Sequence, residues 1–265
     1  MFLPFAHRVP TNREIERIRL ILSTYQDGTG MLAIAESSRT IPGWRDFERS
    51  VALALGGTCA ESKAVFDVTL SDDNAFNYGI SCKMRRELDR IRNKDGRVTV
   101  EVSNSNSKFW EHLATIGIDH SNYMERPQEV GIAITNLVHS WHHAESKSLN
   151  IDLSGSCYLV LSYNKSGMYQ LHQFNLNLFN PSNLEWNCPV GPRGASRLVG
   201  NDDEGIIIEW YMNSGGQLKY YPPEGNAIWK SEIFYLEPLP DITEGILRKV
   251  DSYYPKLWAD ANRTR

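Results

Sequence analysis

The sequence has no run of eighteen apolar residues, which excludes a single-pass hydrophobic helix and gives no reason to expect a membrane partner. Its opening, Met1-Phe2-Leu3-Pro4-Phe5, is too short for a secretory leader and is soon followed by His7 and Arg8, so the expected location is the cytoplasm. Cysteine is scarce. Cys59, Cys82, Cys157 and Cys188 lie far apart with no Cys-x-x-Cys pair, which argues against structural zinc and for reduced thiols. Internal repeats, low-complexity tracts and long Pro/Gly/Ser linkers are also lacking, so nothing forces independent domains. Excess positive charge is missing too. A net charge of -4 argues against a protein that coats nucleic acid by bulk electrostatics, while leaving room for a local concentration of cations.

What is present is an ordinary globular composition, with 41% hydrophobic residues among 265, enough for a substantial core. Thr11-Asn12-Arg13-Glu14 fits a capping box, and Ile15, Ile18, Leu22 and Tyr25 follow at helical spacing until Asp27-Gly28. A second helix is expected from Pro42-Gly43 to Gly56-Gly57, with Glu48 beside its apolar stripe. The runs 64–70 and 76–83 read as strands joined by a polar turn at 71–74. Next come an expected helix over 84–92, a strand over 97–103, a helix containing Trp110 and a longer one over 130–141. From Ser156 the pattern turns to strands, at 157–163, 169–175, 205–211 and 217–221, before a closing helix over 242–253. The expected class is α/β or α+β: a mixed central β-sheet flanked by helices in residues 1–150, and a strand-rich C-terminal extension in 151–265, packed as one or two units.

One ordered set of residues carries chemistry. Asp67 stands inside an apolar run, where a carboxylate is costly without a partner or a metal. Ser81 and Lys83 are two apart and so face the same side of the next strand, while Glu48 enters from the preceding helix. Gly43-Trp44-Arg45-Asp46-Phe47-Glu48-Arg49, Val65-Phe66-Asp67-Val68 and Tyr78-Gly79-Ile80-Ser81-Cys82-Lys83, in that order, resemble the PD-(D/E)xK nuclease superfamily, in particular its type II restriction endonucleases. The resemblance spans roughly residues 40–105. It implies Asp67 as principal metal ligand and Glu48 as a further ligand or water-positioning acid. The backbone carbonyl of Cys82 would be another donor, and Lys83 would activate the nucleophile. It also implies Mg²⁺ as cofactor, no nucleotide cofactor, double-stranded DNA as substrate and a restriction-modification setting.

Two departures from that pattern matter. Phe66 replaces the proline before the aspartate, and Ser81 replaces the acid of the lysine half-motif, a hydroxyl being a weaker Mg²⁺ ligand than a carboxylate. Glu48 is the first candidate to make good the missing acid and Glu101 the second. Literal acid-x-lysine matches also occur at Glu61-Ser62-Lys63 and Glu145-Ser146-Lys147, but neither has the strand context the motif needs.

Candidates for DNA contact are Arg85 and Arg86 in the basic stretch 83–97, Asn104, Asn106 and Lys108 after the third strand, and Arg193 and Arg197 in a Gly-Pro-Arg-Gly segment. Each of these also has an ordinary reading as a solvated turn or helix face. His139, His142 and His143 lack a fourth zinc ligand nearby and read as structural. The resemblance thus implies a site-specific endonuclease, for which palindromic sites would favour a two-fold dimer. The rivals are a repair or recombination nuclease that recognises DNA structure and a non-catalytic nucleic-acid-binding protein.

Overall fold

Local sequence decides the first two helices. In the computed structural model, which describes residues 2–35, 39–59, 65–177, 179–190, 197–212, 215–239 and 245–262, helix α1 (Asn12–Thr24) starts at the expected capping box. The Glu14 amide donates to Thr11 Oγ1 at 3.3 Å, and the Glu14 carboxylate accepts from the Thr11 amide at 2.7 Å. A two-stranded ribbon, β1 (Leu32–Ala33) and β2 (Thr40–Ile41), leads into α2 (Trp44–Leu55), which ends at Gly56 with φ 71°, the left-handed cap that glycine adopts without strain.

The chain then lays down β3 (Thr58–Cys59), β4 (Val68–Ser71) and β5 (Asn77–Arg85), followed by a helical turn α3 (Leu88–Arg90) that runs into a wider turn over Ile91–Asp95. After β6 (Val100–Ser103), α4 (Asn106–Thr115) and α5 (Pro127–Leu149) come the hairpin β7 (Cys157–Tyr163) and β8 (Met168–Asn175). Strands β9 (Glu185–Asn187), β10 (Leu198–Asp202), β11 (Gly205–Tyr211) and β12 (Gln217–Tyr220) precede two short edge strands, β13 (Trp229–Lys230) and β14 (Phe234–Tyr235). Helices α6 (Gly245–Tyr253) and α7 (Pro255–Asn262) close the described chain.

Among the described residues the strands form two large sheets. The first has seven strands in the order β13-β8-β7-β5-β4-β3, with β14 also on β8, and it is mixed because β5 and β7 run parallel while its other pairs are antiparallel. The second is antiparallel, in the order β6-β12-β11-β10-β9. Alternation along β5 and β7 sorts the core. Ile80, Cys82, Leu159 and Leu161 face α1 and α2, whereas Tyr158 and Val160 join α4, α5 and the second sheet around Phe109, Ile134 and Trp210. The molecule is therefore an α+β assembly whose mixed sheet has helices on both faces.

Several expectations change. The mixed central sheet flanked by helices is present, and beside it stands a second sheet; residues 1–150 and 151–265 contribute to both, β7 and β8 sitting at the heart of the first and β6 at the edge of the second. The expected helix over 84–92 gives way at its start to strand, because β5 stays paired with β7 as far as Arg85 opposite Ser162. The helix expected over 130–141 extends to Leu149, its polar end fixed by tertiary contacts of Glu145 and Ser146. The strand expected over 64–70 begins only at Val68. Among the described residues no helix is long and apolar enough to cross a membrane.

Candidate active site

The late start of β4 shapes the site. In the antiparallel ladder Val68 pairs with Ile80, and the Asp67 amide still donates to the Ile80 carbonyl at 3.1 Å. Before Asp67 the chain leaves the ladder, so the next amide of β5, that of Cys82, lacks a backbone acceptor from β4. The Asp67 side chain takes that place: Oδ2 accepts from the Cys82 amide at 2.7 Å. Lys83 Nζ donates to the same Oδ2 at 3.0 Å, to Ser81 Oγ at 2.8 Å and to the Cys82 carbonyl at 3.0 Å, satisfying all three of its donors. The Ser81 hydroxyl lies 3.4 Å from Oδ2. Asp67 Oδ1 has no hydrogen-bond partner among the described residues. Asp67, Ser81, Cys82 and Lys83 thus meet in one cluster, as the sequence order anticipates.

Glu48 comes to the same place from α2. It is 5% exposed, and among the described residues it makes neither a hydrogen bond nor an ion pair. Burial, followed by the negative charge of Asp67, pushes its carboxyl up to about 7, against the opposing pull of Lys83, Arg45 and Arg49. A buried carboxylate without a partner is expensive and is the kind of group kept for chemistry. Burial also raises the nearby Cys59 thiol, with Glu48 and Asp67 adding to the effect.

Helix α5 holds the approach to Asp67. The Glu145 carboxylate accepts from the Val65 amide at 2.9 and 2.8 Å and from the Phe66 amide at 3.3 Å. One turn earlier His142 stacks on Phe66 with ring centroids 6.1 Å apart, and its Nε2 lies 3.3 Å from the Tyr158 hydroxyl. Burial lowers His142 to about 4, so it stays neutral. Phe66 in turn covers Gly79, where a Cβ would meet the ring at 2.3 Å, so only glycine allows this approach. Glu145 belongs to one of the acid-x-lysine matches. It lies on a helix, and its role as a backbone clamp spans eighty residues of sequence, which no local pattern announces.

The other candidates fall elsewhere. Glu101 on β6 pairs with Arg85 at 3.0 Å, and among the described residues it makes no bond to Asp67 or Lys83, which leaves Glu48 as the candidate acid beside Asp67. Arg85, Arg86 and Arg197 line a cleft of about 840 Å³ between the end of β5 and the second sheet. Lys94 and Arg97 of the same basic stretch line it too, as do Lys219, Glu209 and Tyr221 of the second sheet and the strand end after it. The loop expected over 103–108 is mostly helix. Asn106 opens α4 and donates to the Met212 carbonyl at 3.2 Å, and Lys108 sits over the Trp141 ring at 5.6 Å. Asn104 is exposed. Arg193 and the Glu61-Ser62-Lys63 match lie outside the described residues.

Among the described residues no three His, Cys, Asp or Glu side chains are grouped to hold a metal ion. The donors that do converge are two carboxylates, Asp67 and Glu48, and the Cys82 carbonyl, an all-oxygen set of the kind Mg²⁺ takes alongside water. The unpartnered Glu48 and the free Oδ1 of Asp67 fit that ion, whose charge would relieve both the burial of Glu48 and its repulsion from Asp67. The chain matches no protein-family model, no curated protein and no solved structure.

Proposed function

We propose that the protein is a Mg²⁺-dependent endodeoxyribonuclease and, more finely, a type II restriction endonuclease with a restriction-endonuclease-like core that cuts both strands as a two-fold dimer. The observation that carries the reading is the pairing of Asp67 with Lys83 beside a buried, unpartnered Glu48.

In this reading Asp67, Glu48 and the Cys82 carbonyl hold the ion, which when bound supplies charge stabilisation at the phosphate and a more acidic water. Lys83 keeps a fixed positive charge next to the reacting phosphate, its ammonium set by Ser81 and Asp67. Glu48 is a second ligand or orients the attacking water; without the ion its carboxyl is pushed up by burial and by Asp67, and an ion bound there would favour its charged form. The water oxygen bonds to phosphorus and the bond to the 3′ oxygen breaks. One proton of the attacking water passes to bulk water, and the leaving 3′ oxygen takes one proton from a solvent water, giving 5′-phosphate and 3′-hydroxyl ends.

The serine at position 81, with its hydroxyl engaged by Lys83 rather than presenting a carboxylate, favours a second reading as a non-catalytic nucleic-acid-binding protein. One experiment separates them. Purified protein is incubated with plasmid and phage DNA with and without Mg²⁺, beside Asp67→Ala and Lys83→Ala. Discrete Mg²⁺-dependent fragments, lost in both variants, are expected. Cutting confined to branched or mismatched DNA would point to a repair or recombination nuclease, and binding without cleavage to the second reading.

A further inference from the structure

The cleft beyond Lys83 is strongly charged. Its lining carries seven Lys and Arg side chains against three carboxylates, a surplus of four positive charges in a chain whose net charge is -4. Much of that charge is tied into the walls. Arg90 binds Glu87 and Asp95, Arg97 donates to the Tyr221 carbonyl at 3.0 Å, and Arg197 lies 2.6 Å from Glu209. Arg86 and Lys94 differ: both are exposed at the cleft, and among the described residues neither makes a hydrogen bond or an ion pair.

Beneath the cleft, charges alternate across paired strands. Glu209 on β11 stands opposite Lys219 on β12, which stands opposite Glu101 on β6, and Glu101 reaches Arg85 on β5 at 3.0 Å. Arg85 follows Lys83 by two residues on the same strand and so faces the same side. The cleft thus begins one residue past Lys83 on the same strand, at Met84 and Arg85, and Arg86 and Lys94 also line it.

We propose that this cleft is the track of a phosphodiester backbone leading away from Lys83, with Arg86 and Lys94 as phosphate contacts that position the strand without reading its bases. A carboxylate partner would hold these two side chains back; without one, they are left for an anion to pair with. The assignment of duplex DNA as the bound polymer rests on the nuclease reading above, whereas the cleft and its two free cations do not.

The test is equilibrium binding of a fluorescent duplex in EDTA, so that cleavage does not enter, over roughly 50 to 250 mM salt. In Arg86→Ala/Lys94→Ala the slope of log affinity against log salt is expected to fall by about 2, with affinity down at least about tenfold at low salt, equally for unrelated sequences. The charge-matched control Arg13→Ala/Lys256→Ala, on helices away from the cleft, should bind like wild type. Equal binding by the two double variants, or no binding of nucleic acid by wild type, overturns the proposal. Tight Arg86- and Lys94-dependent binding without Mg²⁺-dependent cleavage would keep the cleft and remove the nuclease. Cleavage indifferent to both residues would do the reverse. A preference for RNA with the same dependence would keep the phosphodiester track and change the polymer.

Discussion

Glu48 and Glu209 are both 5% exposed, yet they live in opposite surroundings. Glu209, in the antiparallel sheet, has partners: Oε2 accepts from the Tyr211 hydroxyl at 2.5 Å and the Tyr221 hydroxyl at 2.7 Å, and Oε1, which accepts no hydrogen bond, lies in an ion pair with Arg197. Glu48, against the mixed sheet, has no partner among the described residues and a carboxyl pushed up to about 7. A carboxylate surrounded by donors contributes to holding strands together, and one left without them costs stability. The difference separates a structural acid from one whose ionisation is left for a ligand to settle. On the nuclease reading it also separates the sheet of the reacting groups from that of the cleft, since Glu48 lies within the electrostatic reach of Asp67 and Lys83 whereas Glu209 lines the cleft.

The comparison breaks first at Glu209. Glu209→Ala strips two tyrosine hydroxyls of their acceptor and Arg197 of its counter-ion, so a loss of about 2–3 kcal/mol in unfolding free energy is expected by urea denaturation. Arg197 is partly exposed and can turn to solvent, which keeps the cost below that of a wholly buried pair. A variant as stable as wild type would mean that Glu209 is not the structural member of the two.

At Glu48 the sign reverses. Its folded-state carboxyl titrates near 7 against an ordinary 4.5, so between those values the unfolded chain has lost a proton that the native state keeps. Stability from this group is therefore highest below about pH 4.5 and declines as the pH rises through 7. Glu48→Gln, which cannot ionise, should be more stable than wild type by roughly 2 kcal/mol at pH 8 and lose this decline, while the two proteins converge near pH 5. Added Mg²⁺ should raise the melting temperature of wild type at pH 8 and do so much less in the variant. Equal pH profiles for the two proteins would show that Glu48 is not held neutral by its burial.

Much of this was legible in the residues. The capping box at Thr11, the glycine stop at Gly56 and the alternation of 157–163 and 205–211 use short-range rules, and those elements form where expected. The cluster of Asp67, Ser81 and Lys83 was legible for the same reason, since a two-residue spacing on one strand fixes a common face. What stayed hidden depends on partners distant in sequence. The strand at 84–85 is held by Ser162, the split into two sheets by the pairing of β6 with β12, and the cleft by cations drawn from β5, the turn after it and the second sheet. Lys219 is an isolated cation in its own strand, and only the pairing of β11, β12 and β6 places it between Glu209 and Glu101.

Glu145 is the clearest such case, and its effect should be the smallest of these. Its carboxylate receives the Val65 and Phe66 amides just ahead of Asp67, where the chain has left the β-ladder and has no backbone acceptor there. Glu145→Gln keeps one carbonyl acceptor and the side-chain shape but loses the charge, so the expected loss is about 1 kcal/mol or less. Hydrogen exchange reads the position more finely than global stability. The Val65 and Phe66 amides should exchange faster in the variant. The Cys82 amide, bound to Asp67 Oδ2 at 2.7 Å, should follow them if Glu145 sets where Asp67 stands. Faster exchange at 65 and 66 with Cys82 unchanged would mean that Asp67 is held by Cys82 and Lys83 alone, and that the long helix anchors the chain without orienting the acid.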